Sequence, residues 1–243
     1  MFKKITQLIV LLAMLRGCIA YVFNLVPTAS MAPTIMPRDF IVINRLTYNL
    51  KVPMIDSTIA TLNQAKRGDI VIFKQPNTPE PQEEFVKRVI GIEGDHIHYD
   101  QKTGLVSIIP NYERNNCKIN HCEIQTYRQQ GELNYINSET SLQSRQGEDL
   151  ALIERTEQIG NILHSILLTK VRYDQSAHYF KQNNLSLGEW IVPEGHYFVM
   201  GDFRENSIDS RFFGFVPQDN LMAKAITVAF NPRQQNRVLR KIQ

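Results

Sequence analysis

Residues 67–95 read RGDIVIFKQPNTPEPQEEFVKRVIGIEGD. Two apolar, β-branched runs stand out, DIVIF at 69–73 and FVKRVIGI at 85–92, each short and bounded by Gly, Pro, Asp or Asn. Runs of that length and make-up predict strands rather than helices. The same pattern returns at 39–44 (DFIVIN), 196–200 (HYFVM) and 222–230. Together these segments predict a mostly β protein with an antiparallel core. Residues 46–66 read as a polar connection with room for a short helix.

Between 101 and 186 the character changes. This stretch is rich in Asn, Gln, Glu and Ser, with weak periodicity. It reads as a subdomain inserted into the β core. The expected organisation is a membrane anchor over 1–26, the first part of the core over 27–100, the insertion over 101–186, and the rest of the core with a basic tail over 187–243. Cys117 and Cys122 fall in the insertion. Outside the cytoplasm they would close a small loop as a disulfide; the alternative is two free thiols. A metal site from Cys117, His121 and Cys122 lacks a fourth spaced ligand, so no metal is expected.

The chain has 243 residues, enough for one sizeable core. With 43% hydrophobic and 21% charged residues, wholesale disorder is excluded. A net charge of +3 is too small to argue for nucleic acid. That charge is uneven. Residues 1–26 hold Lys3, Lys4 and Arg16 with no acid, and 231–243 hold Arg233, Arg237, Arg240 and Lys241 with no acid, which leaves the body mildly acidic. Two basic ends suit an anionic lipid surface; a solvated basic tail is the plainer reading.

Residues 5–26, ITQLIVLLAMLRGCIAYVFNLV, would span roughly 33 Å as a helix, about one hydrocarbon core. The preceding lysines put the N-terminus in the cytoplasm and the body beyond the membrane. Arg16 interrupts the run, so the spanning part is expected nearer 2–15, with 17–26 at the outer interface. Two rivals are a cleaved signal peptide, with Cys18-Ile19-Ala20 as a loose processing site, and lipid attachment at Cys18. All three readings place the body outside the cytoplasm.

Ser30 lies four residues past that run, in PTASMAPT at 27–34, so any chemistry there happens at the membrane surface. By itself such a serine is usually a turn residue. A serine nucleophile needs a base, and none of the six histidines sits in a recognisable catalytic context. Lysine is the other choice. If 84–90 is a strand, Phe85, Lys87 and Val89 share one face, so Lys87 stands between two bulky apolar side chains. Desolvation there would favour the neutral amine; the plainer reading is a packed stem with its head in water. A third segment, GDFRENSIDSRFFG at 201–214, packs charges and hydroxyls between apolar strands. It reads as a polar loop able to orient a neighbouring group.

Together these segments resemble bacterial type I signal peptidase, the leader peptidase family of serine–lysine proteases. The likeness rests on SMAPT at 30–34, RGDIVIFKQP at 67–76, KRVIGIEGD at 87–95 and VPEGHYFVM followed by GDFRENSIDSRFFGFVP at 192–217, in that order. It implies Ser30 as nucleophile and Lys87 as general base. It implies that the Thr28 hydroxyl forms the oxyanion hole with the Ser30 N–H, that Ser207 hydrogen-bonds the lysine, and that Asp209 and Arg211 are a supporting pair. Asp202 and Arg204 would brace the loop. Phe203 stands where the family has Asn, Ala29 where it has Ser or Gly, and many relatives have two membrane segments. The resemblance implies signal-peptide-bearing preproteins as substrates, bound extended, with small residues at the first and third positions before the cut. Met31, Ile35 and Met36 either line that site or pack in the core. No cofactor is implied, and a monomer at the lipid bilayer is expected.

Three alternatives are weighed. A self-cleaving repressor-type protease would need a DNA-binding domain, for which the apolar N-terminal stretch leaves no room. A catalytically silent membrane-tethered module is disfavoured by the retention of Ser30, Lys87, Thr28 and Ser207. A peptidase dedicated to one exported substrate, such as a pilus subunit, is not separable on these residues.

Overall fold

A computed structural model describes residues 21–51, 58–79, 83–112, 114–117, 122–135, 151–159 and 161–242. In chain order its strands are β1 (Tyr21–Leu25), β2 (Phe40–Asn44), β3 (Asn49–Lys51), β4 (Thr58–Thr61), β5 (Ile70–Lys74), β6 (Glu84–Gly91), β7 (His96–Asp100), β8 (Leu105–Ile109), β9 (Gln125–Thr126), β10 (Arg128–Tyr135), β11 (Leu152–Ile159), β12 (Ile162–Thr169), β13 (Glu189–Ile191), β14 (His196–Met200), β15 (Val216–Pro217), β16 (Leu221–Phe230) and β17 (Arg240–Lys241). Among the described residues helix is confined to short turns, one of them Ser210–Phe213. All strand pairs are antiparallel, as the sequence predicts.

The main sheet runs β1–β2–β16–β5–β6–β14–β15, with β17 beside β16. Its centre is the pair read first from the sequence, with Val71 opposite Lys87. Both faces of β5 are covered, which is why its residues 70–73, IVIF, are continuously apolar. Ile70 and Ile72 join a cluster with Met31, Ile35, Ile41 and Ile43. Val71 and Phe73 join another with Val89, Val199 and Leu221. Each fully buried side chain of this kind contributes about 1.5–3 kcal/mol. The turns entering β5 and leaving β6 need left-handed backbone, supplied by Gly68 (φ +86) and Gly94 (φ +81). Arg67 and Asp95, beside these glycines, pair through Nε and Oδ2 at 2.9 Å and tie the two turns together.

A four-stranded sheet, β13–β7–β8–β9, packs Ile97, Val106, Ile108 and Trp190 against Ile90 and Phe198 of the main sheet. The third sheet is β10–β11–β12. Cys117 and Cys122 form a disulfide.

Two expectations are corrected. The apolar run does not continue as a helix to Val26. Residues 21–25 are β1, paired to β2 from Tyr21↔Asn44 to Leu25↔Phe40. β2 is hydrogen-bonded to β16 along one edge, and β1 satisfies the backbone groups of the other. The rest of the expected anchor, including Cys18, lies outside the described residues. No helix among the described residues is long and apolar enough to cross a membrane. The connection at 46–66 holds the hairpin β3–β4 and no helix among its described residues.

Candidate active site

The serine loop is a closed excursion between β1 and β2. Val26 N–H donates to the Asp39 carbonyl at 3.0 Å and Arg38 N–H to the Val26 carbonyl at 2.7 Å. Inside it, Ala32 N–H donates to Ala29 O and Ile35 N–H to Met31 O, both at 2.9 Å. Met31, Ile35 and Met36 are buried core residues that hold the loop down; they do not line a cleft. Asp39 ties the loop's end. Its carboxylate accepts from Met36 N–H at 2.8 Å, Asn231 Nδ2 at 2.7 Å and Arg237 Nη2 at 2.5 Å. Arg237 also donates to the Thr34 carbonyl at 2.8 Å. The expected basic tail is therefore only partly solvated: Arg237 is buried against the serine loop.

Lys87 comes to the loop from β6. Its Nζ lies 2.8 Å from Ser30 Oγ, across 57 residues of sequence. Only 4% of Lys87 is exposed. The Nζ also donates to the Val86 carbonyl at 3.0 Å and lies 5.1 Å from the centre of the Phe85 ring. Thr28 Oγ1 is 3.4 Å from Ser30 Oγ, and the Thr28 side chain faces solvent. On the far side of the lysine, β14 pairs with β6 only from Arg88 to Gly91. The Glu84–Lys87 edge opposite β5 thus carries no strand among the described residues.

The Gly201–Gly214 segment closes the site from behind. Phe203 N–H donates to the Ser30 carbonyl at 3.1 Å. A side chain at Gly201 would collide with both that carbonyl and the Ser207 side chain, so only glycine lets the two segments touch. Ser207 is buried here beside Gly201, and its side chain helps to hold the Asp209 carboxyl low; its Oγ makes no well-aligned hydrogen bond to Lys87. Phe203 fills the apolar space under the serine loop with Ala32, Met36, Leu152 and Leu167.

Buried ion pairs brace this segment. Asp209 takes Arg211 side-on, with Nε–Oδ1 at 2.8 Å and Nη2–Oδ2 at 2.9 Å, and accepts from Gly201 N–H at 3.0 Å. Asp202 takes Arg88 the same way, at 2.8 and 2.7 Å, and accepts from the Thr34 hydroxyl at 2.5 Å. Burial alone would raise both carboxyls; the guanidinium beside each outweighs it and holds them below the usual range. Arg204 pairs with Glu157 of β11. Burial would raise Glu157 too, but Arg204, with His164 adding, holds it at about 2.

Ser30, Lys87 and Thr28 thus converge, with Ser207, Asp209 and Arg211 packed behind them. Three participants in the bracing escaped the sequence reading: Arg88, Glu157 and His164. Arg88 carried a signal, since it alternates with Val86 and Ile90 on an apolar strand face just as Lys87 does on the other. Glu157 and His164 carried none. Among the histidines, His98 and His178 are exposed, His96 lies 3.6 Å from Glu189, and His121 is outside the described residues.

Residues 1–230 match the family model described as signal peptidase, peptidase S26. A signal peptidase I of Buchnera aphidicola subsp. Baizongia pistaciae is 37% identical over an alignment of 235 residues that covers 93% of this chain and 75% of that protein. The signal peptidase I of Buchnera aphidicola subsp. Schizaphis graminum is 36% identical over 210 residues, 84% of this chain and 66% of that one. This chain therefore spans between two thirds and three quarters of the length of these curated relatives. A solved signal peptidase I from Enterococcus faecalis V583 aligns with 68% of this chain and 98% of its own at 21% identity, with a TM-score of 0.31.

Proposed function

The chain belongs to the signal peptidase family, peptidase S26, and from that membership we propose that it is a membrane-bound serine endopeptidase that removes signal peptides from secreted preproteins, with Ser30 as nucleophile and neutral Lys87 as general base. The observation that carries the proposal is the 2.8 Å approach of Lys87 Nζ to Ser30 Oγ inside an apolar wall. Burial penalises an ammonium more than an amine, and the neutral amine is the form that accepts a proton.

The steps follow from that geometry. Lys87 takes the Ser30 proton as Oγ attacks the scissile carbonyl. The Ser30 N–H and the Thr28 hydroxyl receive the oxyanion; one such donor is worth about 2.7–4 kcal/mol. The protonated lysine then gives its proton to the leaving amine. Water, deprotonated by Lys87, clears the acyl-enzyme. The substrate's extended segment lies along the uncovered Glu84–Lys87 edge as an added strand, which brings its carbonyl beside Ser30.

The apolar segment before β1 is the anchor of this reading, with the N-terminus cytoplasmic and the body on the outer side as a monomer at the bilayer surface. The Cys117–Cys122 disulfide fits an oxidising compartment. Residues 27–100 and 187–243 form the catalytic core, and 101–186 the insertion. Cleavage of a preprotein by detergent-solubilised enzyme tests the proposal. Ser30→Ala and Lys87→Ala should each abolish the cut with the fold retained, and cleavage that survives Lys87→Ala rules out the lysine base.

A further inference from the structure

The insertion does more than decorate the core. Glu157 of β11 and His164 of β12 are directly opposed across the hairpin, so both side chains leave the same face. That face meets the Gly201–Arg211 segment. Glu157 pairs with Arg204 and accepts from Gln129 Nε2 at 3.1 Å. His164, whose side chain is 1% exposed, stands between two carboxylates, with Nε2 3.3 Å from Glu157 Oε2 and 4.0 Å from Asp202 Oδ1. One strand-like step reinforces the contact: Leu167 N–H donates to the Asp202 carbonyl at 2.9 Å, and Leu167 bridges to Phe203 in parallel. Leu152 and Leu167 pack on Phe203 beneath the serine loop.

Two routes lead from this face to the reacting pair. Asp202 is held by Arg88, the chain neighbour of Lys87, and adjoins Gly201, which abuts Ser30. The Arg204 carbonyl accepts from Arg211 Nη2 at 2.5 Å, and Arg211 holds Asp209, which holds Gly201 N–H. The imidazole makes no well-aligned hydrogen bond at either nitrogen. A leucine would fill the same space without burying a polar ring, so packing does not account for histidine there. Placed between Glu157 and Asp202, a neutral imidazole offers one N–H to the gap between two like charges and separates them.

We propose that Glu157 and His164 are positioning residues of the active site: through Arg204 and Asp202 they set the Gly201–Arg211 segment against Ser30 and Lys87. Neither residue is on the Glu84–Lys87 edge or beside Thr28, so their loss shifts the reacting pair and spares substrate binding. A displacement of about 1 Å at such a pair is worth about a hundredfold in rate. The inference rests on the reading of Ser30 and Lys87 as the catalytic pair.

The test uses the full chain in detergent, with His164→Leu, His164→Asn and His164→Gln. Two readouts are taken: kcat and KM for signal-peptide cleavage, and the rate at which a penem acylates Ser30, measured by mass. His164→Leu keeps volume and every ionised group. It should lower kcat and acylation at least about tenfold, with KM within about twofold. His164→Gln restores a neutral donor of similar reach and should recover to within about threefold of wild type. If the leucine variant does not fold, His164→Asn, polar but too short, replaces it in the comparison. A folded Leu or Asn variant with unchanged kcat, or a Gln variant no better than either, overturns the inference. Wild type that is acylated at Ser30 but leaves the preprotein uncut overturns the substrate reading instead, and acylation rates then decide the positioning role. Wild type without Ser30 acylation overturns the catalytic pair and this inference with it.

Discussion

Replacing Lys87 by arginine separates charge from basicity. A guanidinium of similar length stays protonated under all working conditions. Lys87→Arg should therefore lower kcat by about 10²–10⁴-fold, the usual contribution of a general base, and should also lower the thermal midpoint, because the same burial now holds a permanent charge; kcat is read below that midpoint, on folded enzyme. Thr28→Val keeps shape and removes the hydroxyl 3.4 Å from Ser30 Oγ. Loss of one oxyanion donor should cost about 10²–10³ in kcat, read as a fall in kcat with KM little changed. Because Thr28 is exposed, its removal should not affect stability. Strand alternation sets Lys87 between Phe85 and Val89, which alone leaves a head in water as the plainer reading; its role as base was implied by the resemblance. The surroundings of Ser207 were not legible: the resemblance implied a bond to the lysine, while the structure sets its side chain against Gly201 and Asp209, and a hydroxyl's partner depends on a rotation that no motif encodes.

The serine loop illustrates how elements are held by distant chain. Its end is tied by Asp39, which is fully buried and accepts two donors from residues about 190–200 positions later, Asn231 and Arg237. Arg237→Leu would leave the Asp39 carboxylate buried without its cation. Removing one partner of a buried pair costs about 3–5 kcal/mol. The variant should show a clearly lowered midpoint in urea at pH 7, and the double variant Asp39→Asn/Arg237→Leu should regain part of the loss. Charge counting along the chain predicted a basic tail in this region, since it could register Arg237 but not the carboxylate that faces it. Likewise β1 lies where hydropathy alone reads on as membrane segment, because β2 has an edge to cover and hydropathy does not see edges.

Three buried carboxylates and one buried histidine make the whole fold sensitive to acid. Glu157 is held at about 2, and Asp202 and Asp209 are held low as well, in each case against burial and by a guanidinium. In the unfolded chain they titrate near ordinary carboxylate values. They therefore stabilise the fold fully above about pH 4.5, and that stability drains away as pH falls toward 2. His164 is lowered by burial and by Arg88, against the pull of Glu157 and Asp202. The unfolded chain thus binds its proton first, and stability already declines below about pH 6.5. Urea midpoints at pH 7.5, 5.5 and 3.5 should fall in that order. His164→Gln should flatten the first step and leave the second.

Much of this molecule follows from short-range rules applied to the chain. The apolar run IVIF at 70–73, the glycines at 68 and 94 and the alternation around Lys87 in FVKRVIGI depend on backbone geometry and burial within a few residues, and such properties are local. So strand positions and the antiparallel class could be read in advance; the Ser30–Lys87 pair, 57 residues apart in sequence, was implied only by the resemblance to the family. The role of residues 101–186 could not be read in advance. Glu157 and His164 sit in a polar, weakly periodic stretch, and they gain meaning only where the β11–β12 hairpin folds back onto Asp202 and Arg204. The same holds for Arg237 on Asp39. A buried ion pair joins residues by distance in space, at separations where the sequence carries no periodic trace, and folding alone brings the partners together.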